Sequence, residues 1–152
     1  MDTSKQNNIE NLEKNQKEID QILQCANSVY KSLGPGHNER IYHKAMVYEL
    51  NCYNLNIDTE MNIVVKYTDS KGHTHHLETE RIDIFIHTYD VILELKATQK
   101  DIQVQEKCQL NKYFNELKKI DKKVNYGIII NFRQPNSKEI PKNIDSFIEF
   151  IN

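Results

Sequence analysis

Two acids and one lysine interrupt apolar runs of this 152-residue chain. Asp83 lies within RIDIFI, and Glu94 and Lys96 lie within VILELKA. Burial of a carboxylate or an ammonium group costs free energy unless the charge is paired or binds a metal ion. Carboxylate oxygens suit the hard cations Mg²⁺ and Mn²⁺. The residues predict a divalent-cation site for phosphodiester hydrolysis, in which Lys96 orients water or stabilises charge on the phosphate.

A structural explanation fits the same three residues. Glu94 and Lys96 would then form an ion pair, and Asp83 would be an ordinary strand-end residue. The pattern D…ExK is short and often arises by chance. Spacing alone therefore leaves both the metal site and the structural pair open.

The period of the strands indicates how these side chains meet. Side chains alternate between the two faces of a strand, so Glu94 and Lys96 share one face of the strand predicted at 91–97. The preceding strand, predicted at 81–87, brings Asp83 to them if the two strands are antiparallel. The site is then expected at the end of the second strand, where a helix follows.

The remaining pattern is typical of an α/β protein, with helical periodicity first and strand periodicity later. Gly34-Pro35-Gly36 is expected to end the first helix, and Asn38 to cap the second. The tail after Pro135 is predicted to be a loop that closes in one helical turn at 145–150. The predicted order is ααβββαβ, with helices at 9–33, after Asn38 and at 101–120, and strands at 57–67, 81–87, 91–97 and 126–132.

The composition is that of a folded intracellular protein. Its 152 residues, 38% hydrophobic and 28% charged, fit a single domain. Its core is expected at about 26–135, between an N-terminal helical extension (1–25) and a C-terminal tail (136–152). Three cysteines without C-x-x-C spacing favour a reducing compartment, and no stretch is apolar enough to suggest a signal peptide or a membrane span. The compartment and a homodimer are left open.

The charge gives no general attraction to phosphate. With 20 basic and 22 acidic residues the net charge is -2, so a DNA-binding role needs a local basic patch or a bound cation. The candidate patch for phosphate contacts lies at the end of the predicted third helix, where a merely solvated helix end is the alternative. It consists of Lys118, Lys119, Lys122 and Lys123.

A longer set of blocks resembles a known family. The segment SLGPGHNERIYHKAMVYEL, followed by RIDIFI, VILELKA and QLNKYF, resembles the GxxExxY family of small PD-(D/E)xK nuclease-superfamily proteins. The name-giving motif is present as Gly36, Glu39 and Tyr42, and the blocks cover about 26–135 in family order. The resemblance implies a restriction-endonuclease-like core, a mixed central β-sheet flanked by helices, and metal-dependent nuclease activity.

The resemblance also implies roles for individual residues. Asp83, Glu94 and Lys96 match the D…ExK signature, whose acids hold Mg²⁺ or Mn²⁺ and whose lysine takes part in catalysis. Glu39 matches a helix glutamate that in many superfamily members adds a ligand to the metal. Taken alone, Glu39 would be an ordinary acid in the first turn of a helix.

A further match lies on the predicted third helix. Gln109 and Tyr113 match a QxxxY pattern similar to that of RecB-like nucleases, where it supports the site and faces DNA. Residues four apart share a helix face, which agrees with a joint role, although a tyrosine is more often a core or rim residue. The sequence departs from the family at Glu106, where histidine is frequent.

Three histidines could suggest a transition-metal site. His73, His75 and His76 follow a glycine turn, and alternation places the first two on one strand face. A zinc site needs further ligands that the sequence does not supply. A solvated hairpin is the expected outcome.

Two functional hypotheses follow. The first is a Mg²⁺- or Mn²⁺-dependent deoxyribonuclease, favoured by the intact signature. The second is a module that keeps the nuclease fold and binds nucleic acid or protein without catalysis, since a fold does not guarantee an activity. The net charge of -2 and the small size argue against the first.

Overall fold

The computed structural model describes residues 2–151, which form one five-stranded sheet with helices on both faces. The strands follow one another in chain order, β3 and β4 are parallel, and the other neighbours are antiparallel. The predicted α/β class with a mixed sheet is thus confirmed. The elements are α1 Thr3–Lys14, α2 Gln16–Leu33, α3 Glu39–Cys52, β1 Ile57–Thr68, β2 Thr74–Ile86, β3 Val91–Lys96, α4 Val104–Lys119, β4 Tyr126–Asn131 and β5 Asp145–Phe150.

The alternation of β3 divides the core into two layers. Leu93 and Leu95 belong to the cluster that packs against α2 and α3. Ile92 belongs to the second cluster, which packs against Leu110 and Leu117 of α4. Each fully buried side chain of this size contributes roughly 1.5–3 kcal/mol through removal of apolar surface from water. Because position 94 has the parity of position 92, its side chain lies on the α4 face, as the strand period predicts.

The C-terminal segment corrects the prediction of a loop and a helical turn. Asp145–Phe150 is a strand that pairs antiparallel with β4 along its whole length. β4 is buried throughout, so its second edge needs hydrogen-bond partners. Ile148 packs against the first cluster and Phe147 against the second, which is the two-residue period of a strand.

Two other elements differ from the sequence prediction. The first predicted helix is divided at Asn15 into α1 and α2, and none of the residues of α1 is buried. β2 begins at Thr74 instead of residue 81, because β1 and β2 continue beyond the core as a hairpin whose residues 74–79 are exposed. Within residues 2–151, no helix combines the length and apolar character needed to cross a bilayer.

Candidate functional site

Asp83 and Glu94 meet where the hydrogen-bonded ladder between β2 and β3 ends. The last paired residues are Ile84 and Leu93, so the two acids occupy the next opposed positions. The backbone N–H of Asp83 donates to Glu94 Oε1 at 3.2 Å, and the N–H of Leu95 donates to Asp83 Oδ2 at 2.8 Å. Each carboxylate therefore bonds to the opposite strand, which holds the two acids side by side.

An irregularity of β1 lies next to this pair. The β1–β2 register steps over Glu60 and Asp83, which stand opposite each other without pairing. Glu60 has φ 53°, a left-handed conformation that residues other than glycine seldom adopt. Because the β1–β2 pairing is interrupted at this point, the backbone N–H of Asp83 is free to donate to the Glu94 carboxylate. Glu60 was not identified from the sequence, because no local sequence pattern predicts that a glutamate will adopt a positive φ.

The electrostatics of Glu94 are those of a buried acid beside a second acid. Glu94 is 5% exposed, and its burial raises its pKa well above the ordinary value. The Asp83 carboxylate raises that pKa further, whereas the Asp83 N–H and the Lys96 ammonium group lower it. Strongly perturbed acids of this kind cluster at functional sites.

Lys96 does not form the ion pair that the structural explanation requires. None of the eight ion pairs at 4.0 Å or less among residues 2–151 involves Lys96 or Glu94. Side chains two residues apart on a strand stand side by side, about 6.6 Å apart along the strand axis. Lys96 is half-buried as a residue, and its ammonium group is close enough to lower the pKa of Glu94.

The N-terminus of α3 places a third acid, Glu39, within electrostatic reach of the pair. Asn38 Oδ1 accepts a backbone N–H of the first turn at 3.2 Å, so the helix begins at Glu39 and the predicted cap is confirmed. Glu39 is exposed as a residue, yet partial burial of its carboxyl group raises its pKa and the Asp83 carboxylate raises it again. Lys96 and His43 act in the opposite direction. Glu39 thus belongs to the same electrostatic cluster.

The glycine and tyrosine of the GxxExxY pattern shape the loop before α3. The buried Tyr42 hydroxyl donates to the carbonyl of Gly34 at 2.7 Å and accepts from Gln134 Nε2 at 3.1 Å. Gln134 Oε1 accepts the N–H of Gly36 at 2.8 Å. Gly36 has φ 109°, which favours glycine. Tyr42 and Gly36 thus fix the loop at residues 34–38, which leads directly into Glu39.

We expect Tyr42→Phe to lower the free energy of unfolding by about 1–3 kcal/mol, because it leaves buried polar partners unsatisfied. Urea unfolding monitored by circular dichroism measures this change. Tyr67→Phe is the matched control, since Tyr67 is 56% exposed and should change little. Equal effects of the two substitutions would contradict a role for the Tyr42 hydroxyl in holding the loop.

Of the predicted pair on α4, Gln109 is half-buried and Tyr113 lies in the core. Tyr113 is 2% exposed, and its ring belongs to the cluster under α4. Its hydroxyl accepts from Gln109 Nε2 at 3.0 Å and donates to the carbonyl of Arg81 at 3.2 Å. Burial raises the Tyr113 pKa, and Glu94 is the largest of the acids that raise it further. The pair thus lies beside the acids, and its contact with a phosphate path stays a prediction.

Glu106, the position that departs from the family, has a structural task. Its Oε2 accepts the backbone N–H of Gln103 at 2.6 Å, which caps the N-terminus of α4. The charge of Glu106 also contributes to the raised pKa of Glu39. The residue therefore lies at the edge of the acid cluster.

The predicted lysine patch lies at the other end of the sheet. Lys122 Nζ is 3.1 Å from His87 Nδ1, next to the beginning of β3, whereas Glu94 and Lys96 are near its end. At about 3.3 Å per residue, the distance along the strand from the beginning of β3 is roughly 10 Å to Glu94 and roughly 16 Å to Lys96. The prediction that Lys118, Lys119, Lys122 and Lys123 contact DNA has no support from proximity to the acids, and it stays a prediction.

The histidines lie on the exposed hairpin. His75 Nε2 is 2.8 Å from Asp69 Oδ2, and His73 Nδ1 is 3.6 Å from the same oxygen. Hydrogen bonds from His75 and from the N–H of His73 lower the pKa of Asp69. The hairpin is thus held by the acid of its own turn.

The acid cluster fits a cation that needs few protein ligands. Within the described residues no three His, Cys, Asp or Glu side chains form a ready-made metal cage. Mg²⁺ is commonly held by one or two carboxylates together with water and substrate phosphate, so such a cage is not required. The adjacent carboxylates of Asp83 and Glu94 are hard donors, and a cation would offset both the burial of Glu94 and the Asp83 repulsion that together raise its pKa.

Comparison with known proteins agrees with this geometry. The family model described as the PD-(D/E)XK nuclease superfamily matches residues 16–143. The chain belongs to this superfamily. Nucleases of this superfamily generally use divalent metal ions, and the D…ExK residues lie inside the matched segment. A search of curated protein sequences finds no significant match.

The same fold is found among solved structures. The crystal structure of SSO0001 superposes with a TM-score of 0.55 at 18% sequence identity. The match covers 74% of this chain and 50% of SSO0001, so it spans half of that protein's length. At this identity the comparison supports the restriction-endonuclease-like fold of the superfamily and no more.

Proposed function

We propose that this protein is a metal-dependent deoxyribonuclease of the GxxExxY kind, with Mg²⁺ or Mn²⁺ as its cation. The observation that carries the proposal is the pair Asp83–Glu94, two adjacent acids at the end of a ladder, with a raised Glu94 pKa. The lysine beside them, Lys96, forms no ion pair within residues 2–151. Membership of a nuclease superfamily supports the reaction class.

Each residue has a task in this proposal. Asp83 and Glu94 would hold the cation, and Glu39, whose pKa the Asp83 carboxylate helps to raise, would approach from α3 as a third oxygen donor. When bound, the cation lowers the pKa of a water molecule and offsets negative charge on the phosphate. Lys96 directs its ammonium group at the scissile phosphate and stabilises the charge that develops on its oxygens. Gln109 supports the site through its hydrogen bond to Tyr113.

The test is nicking of supercoiled plasmid and degradation of single-stranded DNA by the purified protein in Mg²⁺, Mn²⁺ or EDTA. We expect cleavage with either metal and none in EDTA. Binding of DNA without cleavage in either metal, by protein with native circular dichroism, would contradict the proposal and favour the non-catalytic module.

Lys96→Met is expected to reduce the nicking rate by about 10²–10³-fold, the usual effect of removing one group that stabilises charge in a transition state. Thermal stabilisation by Mg²⁺ should persist, because Lys96 is not a ligand. Lys66→Met, which changes an exposed strand lysine, is the control. Loss of the Mg²⁺-dependent thermal shift in Lys96→Met would contradict the assigned task of this lysine.

A further inference from the structure

A groove with a volume of about 630 Å³ runs between α3 and β1. The α3 wall contributes Arg40, His43, Lys44 and Tyr48, and the β1 wall contributes Thr59 and Glu60. Arg40 follows Glu39 directly, and Glu60 stands opposite Asp83 in the β1–β2 register. Each wall therefore has one residue next to an acid of the candidate site, in sequence on α3 and in strand register on β1.

Three exposed side chains follow one another along the α3 wall. Arg40, Lys44 and Tyr48 are spaced four residues apart, which places them on one helix face. Neither cation takes part in any of the ion pairs formed among residues 2–151. Tyr48 is 75% exposed, unusual for a large aromatic residue of a core helix. Sequence reasoning missed this stripe, although its i, i+4, i+8 spacing was visible.

The chemistry of the groove matches a strand of nucleic acid. Arg40 and Lys44 offer two cations to phosphates, and the one acid on the β1 wall, Glu60, lies 3.5 Å from Arg81 and is partly balanced by it. The step from Arg40 to Tyr48 spans about 12 Å at 1.5 Å per residue, the length of roughly three to four stacked nucleotides.

We propose that this groove binds an unpaired DNA strand on its way to the acid cluster, with Arg40 and Lys44 on phosphates and Tyr48 stacked on a base. The part of this proposal that leads the DNA strand to the acid cluster rests on the nuclease function proposed above. The binding of DNA in the groove does not depend on that function. An exposed aromatic ring stacks on bases of any sequence, but only where they are not enclosed in a duplex. The preferred substrate is therefore single-stranded DNA or a frayed end.

The experiment is fluorescence anisotropy with a labelled single strand of about twelve nucleotides and with the corresponding duplex, both in EDTA so that no cleavage occurs. Tyr48→Ala should weaken single-strand binding roughly five- to 150-fold, because it removes about 1–3 kcal/mol of stacking free energy. The same variant should bind the duplex as the wild type does. Arg40→Ala/Lys44→Ala should reduce the slope of log K against log salt by about 1.4, or 0.7 for each lost phosphate contact.

Matched controls separate these effects from general changes in charge and surface. Lys14→Ala/Lys17→Ala removes two exposed lysines from the N-terminal helices, and Tyr67→Ala removes an exposed tyrosine from the hairpin. Both should bind as the wild type does. Equal effects of test and control variants, or tighter binding of the duplex than of the single strand, would overturn the proposal.

The outcome is distinguishable from that of the nuclease test. Selective loss of single-strand binding in the Tyr48 and Arg40/Lys44 variants supports the groove even if no metal produces cleavage. Cleavage by the wild type together with unchanged binding by these variants would contradict the proposal that the groove binds DNA. It would not contradict the nuclease proposal.

Discussion

Replacement of Asp83 by asparagine or of Glu94 by glutamine is expected to reduce metal-dependent DNA cleavage at least about 10³-fold, because in the proposed mechanism each change removes a charged ligand of the cation that activates water. Both substitutions keep an oxygen in place. In Asp83→Asn the amide oxygen can still accept the Leu95 N–H, and in Glu94→Gln it can still accept the Asp83 N–H. The end of the β2–β3 ladder should therefore persist in both variants.

Plasmid nicking over a range of Mg²⁺ and Mn²⁺ concentrations measures this loss. Glu78→Gln is the matched control, since Glu78 is an exposed acid on the same strand as Asp83. Activity within about tenfold of the wild type in Asp83→Asn and Glu94→Gln would rule out a site built on these acids.

Glu94→Gln is also expected to leave the metal-free protein at neutral pH as stable as the wild type, or more stable. Burial and Asp83 raise the folded-state pKa of Glu94 above the unfolded value of about 4.3. Such a group stabilises the protein below the unfolded pKa. That contribution is lost as the pH rises through the folded pKa, because the unfolded chain releases its proton first. Glutamine removes this dependence.

Thermal melts in EDTA from about pH 4 to pH 8 measure the effect. The gain of Glu94→Gln over the wild type should grow with pH, and a smaller pH dependence should remain because the pKa of Glu39 is also raised. In Mg²⁺ at about 100 times its dissociation constant the wild type should gain about 2.7 kcal/mol, which the variant should lose.

The structural-pair explanation predicts the opposite sign. Removal of one member of a buried ion pair costs about 3–5 kcal/mol, which for a protein of this size lowers the melting temperature by roughly 6–20 °C. A fall of that size for Glu94→Gln in EDTA would contradict the metal-site explanation. Lys96 lies in no ion pair of the described chain, so we expect the melting temperature of Glu94→Gln in EDTA to fall little or to rise.

Local chemistry was sufficient for several features. The two-residue strand period places Glu94 on the face of Ile92, and this parity is the same in any sheet. Glycines at 34 and 36 end a helix, and Asn38 caps the next one, because backbone conformation and a nearby side-chain acceptor are properties of a few consecutive residues. The sequence blocks, which follow one another in family order, likewise predicted the PD-(D/E)xK superfamily, and the match of the family model confirms it.

Tertiary structure alone decided the features that depend on residues distant in the chain. The segment 145–150 is a strand because β4 has an edge that requires hydrogen bonds, and six residues carry too little periodicity to indicate this. The positive φ of Glu60 is accommodated opposite Asp83, in a register that no local pattern determines. The lysines at and after the C-terminal end of α4 lie away from the acids because α4 runs back along the sheet, so that this end faces the beginning of β3.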